Sequence, residues 1–137
     1  MLVADVMTPD PVGLPPEAGL AEALELLGGI QVRHLPVVAG KRVVGVVSDR
    51  DLLAATGGST ERGRGRVLAD VMHAPVVTIR PTDTLVSAAV DLSVRKIGCL
   101  PVVDDGRGLV GILTETDLLR AFVRASRGGK LSFDHDP

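Results

Sequence analysis

GVVSDRDLL at residues 45–53 returns as GILTETDLL at residues 111–119. Each copy holds a glycine, two apolar residues, a hydroxyl residue, two variable residues, an aspartate and two leucines. Working outward, the repeat covers nearly the whole chain. ADVM stands at residues 4–7 and again at 69–72, a shift of 65, and LPVV at 35–38 meets LPVV at 100–103. Beyond that the shift becomes 66, because AGKR in the first copy is DDGRG in the second. A polar, glycine-containing turn is where an extra residue costs least.

Both copies predict the same elements. A short apolar strand lies around residues 12–14 and 77–79. A helix follows, with Leu20, Ala23, Leu24 and Leu27 on one face and Leu85, Ala88, Ala89 and Leu92 on its partner, at i, i+3, i+4, i+7. Two strands come next, at 35–39 and 43–47 in one copy and 100–104 and 109–113 in the other, each pair joined by a tight turn. A last helix starts after Ser48 or Thr114, both good N-cap residues. The fold class is therefore α+β, two β-α-β-β-α repeats packed about a pseudo-twofold axis, since strands apolar on nearly every residue need cover on both faces. The expected boundaries are 1–56 for the first repeat, 57–66 for a Gly-rich linker, 67–126 for the second repeat and 127–137 for a polar tail.

The start of the last helix has chemical potential. Free N–H groups at a helix start attract anions. Ser48 and Thr114 add a hydroxyl, and a carboxylate one turn in, Asp51 or Asp117, can accept bonds from two neighbouring hydroxyls, as on a ribose. The same residues also read as ordinary caps, with acidic groups complementing the helix dipole.

Composition narrows the field. Net charge is −2, from seven basic and eight acidic residues in 1–66 and eight against nine in 67–137. This argues against nucleic acid or a polybasic membrane anchor as partner. Of the residues 45% are hydrophobic, but there is no Trp or Tyr and only two Phe, so the core must be aliphatic. No apolar run reaches the roughly 20 residues of a membrane span, and the start lacks the basic and apolar regions of a signal peptide; a cytoplasmic protein is expected. Cys99 is the one cysteine, which excludes an internal disulfide.

DVMTPDPV with DVMHAPVV, and RHLPVVAGKRVVGVVSDRDLL with GCLPVVDDGRGLVGILTETDLL, together resemble a tandem pair of CBS domains, over residues 4–55 and 68–122. The resemblance implies a regulatory module that binds adenosine-type ligands such as AMP, ADP or ATP in two clefts between its repeats. It also implies a homodimer and action on a separate effector protein. By family position one site would hold Ser48, Arg50 and Asp51 with Arg33 and His34, and its base would pack on Val76, Val77 and Ile97. The other would hold Thr114, Thr116 and Asp117 with Gly98 and Cys99, and its base would pack on Thr8, Val12 and Val32. His73 stands where the family more often has Thr, and Gly13 where the second copy has Thr78. With Arg33, His34 and Arg50 against Gly98, Cys99 and Thr116, the Asp51 site is expected to favour more phosphate.

Rival readings are weaker. Ser48 has no nucleophile-elbow context. His34, His73 and His135 lack metal-ligand spacing and Cys99 stands alone, so neither catalysis nor a zinc site is expected. GGST at 57–60 lacks the lysine of a phosphate loop. A CBS-fold interaction module that binds no ligand is the main alternative. Leu52, Leu53, Leu118, Leu119 and Phe122 would together make an apolar patch, pointing to a dimer.

Overall fold

The computed structural model describes residues 1–128 apart from Gln31, Thr60 and Arg62; most of the expected tail, 129–137, lies outside the described residues. The elements are β1 (Thr8–Pro9), α1 (Leu20–Ile30), β2 (His34–Ala39), β3 (Arg42–Ser48), α2 (Asp49–Thr56), α3 (Leu85–Arg95), β4 (Cys99–Val103), β5 (Leu109–Thr114) and α4 (Glu115–Arg127), with single 3-10 turns at Val3–Asp5 and Leu68–Asp70. The helix faces are as the periodicity requires: Leu20, Ala23 and Leu27 are buried on α1, Ala88 and Leu92 on α3.

β2 pairs antiparallel with β3, and β4 with β5, each with an irregularity at the same place, after Val37 and after Val102. The expected first strand of each repeat is only one parallel bridge long, Leu14 to Val37 and Ile79 to Val102. Pro15 and Pro16 follow Leu14, and Pro81 follows shortly after Ile79; proline has no N–H to continue a ladder. Gly13 is explained here too, since a Cβ on it would lie 2.8 Å from Val38 Cγ2.

The ADVM segments cross over. Val3 is fully buried in the core of the second repeat, with Ile79, Leu92, Leu100 and Leu113. Leu68 is fully buried in the core of the first, with Leu20, Leu35, Val47 and Leu52. β1 pairs antiparallel with β5, and His73 bridges Val46 of β3 in the equivalent way. The contact that seats each crossing is a methionine over a mid-strand glycine. A Cβ on Gly45 would lie 2.6 Å from Met72 Sδ, and one on Gly111 would lie 2.5 Å from Met7 Sδ. Asp5 and Asp70 pin the crossing turns by accepting the N–H of Leu2 and Val67 at 2.8 and 2.9 Å.

Between the repeats, Arg66 donates to the Ala55 carbonyl at 3.2 Å and its own carbonyl accepts the Leu20 N–H. The connecting segment is thus tied to the end of α2 and the start of α1. Leu52, expected on the apolar patch, is fully buried, and Leu118 packs partly buried against the second core; Leu53 and Leu119 stay exposed. Among the described residues no helix is long and apolar enough to cross a membrane.

Candidate functional site

The motif that opened the sequence folds as a reciprocal cap. Ser48 Oγ accepts the Asp51 N–H at 3.1 Å, and Asp51 Oδ2 accepts the Ser48 N–H at 2.9 Å. Thr114 and Asp117 repeat this at 3.2 and 3.0 Å. Each satisfies two backbone donors that a helix start leaves open. The other carboxylate oxygen is left for a side chain. Asp51 Oδ1 lies 3.1 Å from His73 Nε2, and Asp117 Oδ1 accepts from the Thr8 hydroxyl at 3.5 Å. Burial pushes the Asp51 carboxyl up, but the Ser48 N–H, the Ser48 hydroxyl and His73 outweigh it and hold the group below its ordinary value.

A cleft of about 290 Å³ opens beside Asp51, near the lower end of small-molecule sites. The first repeat lines it with His34, Ser48 and Asp51, and the second with Val76, Val77 and Ile97. Six residues expected at this site are therefore together. Arg33 and Arg50 are exposed and are not part of the wall. Gly98 and Cys99, expected at the Asp117 site, also line the Asp51 cleft, while their backbone stays beside the start of α4: Cys99 pairs with Thr114 and the Gly98 carbonyl accepts the Glu115 N–H at 3.3 Å. The reason is close contact across the pseudo-axis: a Cβ on Gly98 would sit 2.8 Å from His34 Nε2.

His34 is pushed below its ordinary value of 6.5 by burial, against the pull of Asp49, Asp51 and Glu115 and with a small push from Arg33. Burial also lifts the Cys99 thiol to about 12, so it is an inert neutral group in the wall. Sequence reasoning missed Lys96, which lines the cleft from the left-handed residue ending α3 (φ 54°), and gave no role to His73. The signal for Lys96 was its place between the helix end and Ile97.

Around Asp117 the set is sparser. Thr8 reaches the carboxylate, Thr116 is exposed, and Val12 and Val32 are 48% and 43% exposed. By the 65-residue shift these valines stand where Val77 and Ile97 stand in the first cleft. Among the described residues no three His, Cys, Asp or Glu groups are placed to hold a metal ion.

The CBS domain family matches residues 3–58 and 68–124. CBSX2 of Arabidopsis thaliana, a CBS-pair protein solved in complex with AMP, is 36% identical, covers 92% of this chain and 98% of its own, and superposes with a TM-score of 0.81. The CBS domain pair of MJ0100, solved with 5′-methylthioadenosine and S-adenosyl-L-methionine, is 28% identical over 96% of this chain and 98% of its own, also with a TM-score of 0.81. The homoserine O-acetyltransferase of Methanocorpusculum labreanum is 35% identical over 119 residues, 86% of this chain but 23% of that protein. The chain spans about a quarter of the length of this relative and of two further curated ones. A whole-chain repeat, crossed ADVM segments and two capped carboxylates thus coincide with two successive family matches: the chain belongs to the CBS domain family, as a tandem pair.

Proposed function

We propose that the protein is a non-catalytic regulatory module that binds an adenosine-containing ligand in the Asp51 cleft, with a second, weaker position at Asp117. One observation carries the reading. One cleft holds both a carboxylate with an oxygen not used in the helix cap, Asp51 Oδ1, and the apolar side chains of Val76, Val77 and Ile97. A ribose needs the first and a base the second. The complexes of CBSX2 with AMP and of MJ0100 with adenosyl compounds support it. His34 and Lys96, rather than Arg33 and Arg50, are the groups placed to meet a phosphate or carboxylate in the cleft. The test is calorimetry with adenosine, AMP, ATP and S-adenosylmethionine on wild type and Asp51→Ala. A bond to a charged group contributes about 1.5–3 kcal/mol, so the substitution should weaken binding roughly 10- to 150-fold. Absence of binding by all four ligands would overturn the reading.

The same module is proposed to act as a homodimer on a separate effector. Val86, Val90 and Val94 form a stripe along α3, 74%, 53% and 74% exposed, and Leu119 of α4, a helix in contact with α3, is 66% exposed. The equivalent α1 positions are Ala21, Glu25 and Gly29, so the adhesive face belongs to the second repeat. Val90→Glu should shift the protein to monomer in sedimentation at micromolar concentration; a wild-type monomer there sinks the dimer. A CBS-fold interaction module without ligand draws on the same stripe, and the calorimetry separates the two.

A further inference from the structure

Beyond Val76, which also borders the Asp51 cleft, lies a second cleft of about 520 Å³ lined by Arg42, Thr78, Arg80 and Arg107. We propose that these three arginines form a binding site for a phosphate-bearing small anion, distinct from the Asp51 carboxylate and its helix cap. The backbone brings them together from three places. Arg42 bridges Gly108, and the Leu109 N–H donates to the Lys41 carbonyl at 3.2 Å, so the β2–β3 and β4–β5 turns are joined and Arg42 stands next to the turn that carries Arg107. Arg80 follows Ile79 on the extended segment that walls both clefts. Arg107 is held at φ 64°, in the left-handed region, although glycines flank it on both sides.

Charge around the cleft is mixed: Arg42, Arg80 and Arg107 stand with Asp83, Asp104 and, through its pair with Arg80, Asp105. Asp83 and Asp104 also line it, but each spends a carboxylate oxygen on a backbone N–H, of Arg80 and of Gly108, at 2.9 and 2.8 Å. Arg80 pairs with Asp105, whose side chain is 94% exposed; such a pair exchanges readily with solvent and with a competing anion. Among the described residues Arg42 and Arg107 have no ion-pair partner. Arginine binds phosphate oxygens in bidentate fashion, and three arginines with the Thr78 hydroxyl line this one cleft.

The pseudo-equivalent cleft shows that the fold alone does not require this. There Gly13 replaces Thr78, Pro15 replaces Arg80, Gly108 replaces Arg42 and Lys41 replaces Arg107. The site stands independently of the adenosine reading, because the first probe is inorganic pyrophosphate alone.

The experiment is calorimetry on the full chain at low salt and at 0.15 M. Pyrophosphate should bind wild type, and Arg42→Gln/Arg107→Gln should weaken it at least tenfold, as loss of charge-assisted bonds implies. Arg95→Gln, which removes a charge on α3, should change nothing. Two sources of phosphate are separated by nucleotide arms. If the double substitution also weakens ATP but not adenosine, and pyrophosphate competes with ATP but not adenosine, the groups belong to a nucleotide seated in the Asp51 cleft. If ATP is unaffected, a free phosphate compound is the occupant. The site is overturned if wild type binds no pyrophosphate and ATP is indifferent to the double substitution, or if Arg95→Gln costs as much. Failure of adenosine to bind at all would refute only the adenosine reading.

Discussion

At the start of α2, Asp51 is held by Ser48 and His73; at the equivalent start of α4, Asp117 is held by Thr114 and Thr8. The caps agree within 0.1 Å, while the outer partner changes from an imidazole at 3.1 Å to a hydroxyl at 3.5 Å. The same division runs through the molecule. What builds the frame is duplicated: caps, methionine over glycine, apolar helix faces. What lines the proposed sites is not: His34 against Cys99, Arg80 against Pro15, His73 against Thr8. A duplicated frame lets one copy change its chemistry while the other keeps the fold, because the two cores are separate.

The largest expected difference between the copies lies in those cores. Leu52 is fully buried, whereas its equivalent Leu118 is only partly so. Leu52→Ala should cost about 2–5 kcal/mol, with both lost transfer energy and a cavity. Leu118→Ala should cost clearly less, since part of its surface already meets water. Equal losses in urea unfolding would mean that the two helices are anchored alike.

The next contrast is set by pH, with opposite signs. His34 titrates below its ordinary 6.5 because burial disfavours the charged ring. The unfolded chain then takes up a proton before the folded one does, so stability is full above about pH 6.5 and falls as the pH drops toward the folded value. Its counterpart Cys99 is lifted from 9.0 to about 12 by burial. Here the unfolded chain loses its proton first, so stability is full below 9 and falls as pH rises toward 12. His34→Asn should flatten the acid limb and leave the alkaline one; Cys99→Ala should do the reverse. Urea midpoints at pH 5, 7 and 10 decide it, and an acid limb that persists in His34→Asn removes the assignment.

The repeat, the helix faces and the caps could be read before any coordinates, because each follows from local periodicity or from a polar residue at a fixed offset. Ser48 and Thr114 were legible as caps from their place at the helix starts; that Asp51 and Asp117 close the caps in return was not, since each aspartate read equally as a ribose acceptor or a dipole partner. The crossing of ADVM was not legible, since no local pattern says which sheet a segment joins. Gly45 and Met72 carried the information, but only as a pair: a mid-strand glycine is a hole, and the methionine that fills it lies 27 residues away. Arg33 and Arg50 were assigned to the cleft by family position, yet both are exposed and neither lines it. Gly98 was read as a site residue by family position, but its close approach to His34 was not legible, because it depends on the absence of a side chain.

The caps should then prove equal. Ser48→Ala and Thr114→Ala each remove one acceptor for the N–H of the aspartate, worth about 1 kcal/mol. Matching bond lengths predict matching losses in thermal unfolding. A gap of more than about 1 kcal/mol would show that the copies differ in the frame and not only in its fittings.

The smallest effect, and the most direct on the comparison, comes from exchanging the outer partners. The His73 side chain is 76% exposed, so its contact with Asp51 is screened and should contribute no more than about 0.2–1 kcal/mol, as surface pairs do. Its consequence is chemical instead. His73 is one of the groups that hold the Asp51 carboxyl below its ordinary value, and it covers Oδ1, the oxygen the helix cap leaves open. In His73→Thr that carboxyl should titrate higher than in wild type, followed by carbon-13 NMR of the side chain, while unfolding free energy changes little. The oxygen would also be less encumbered toward a ribose hydroxyl, so adenosine binding to this cleft should rise or hold. Thr8→His places an imidazole over Asp117 Oδ1 and should bring that site closer to the Asp51 arrangement. If His73→Thr leaves the titration unmoved, the imidazole is a bystander and the two helix starts differ in sequence alone.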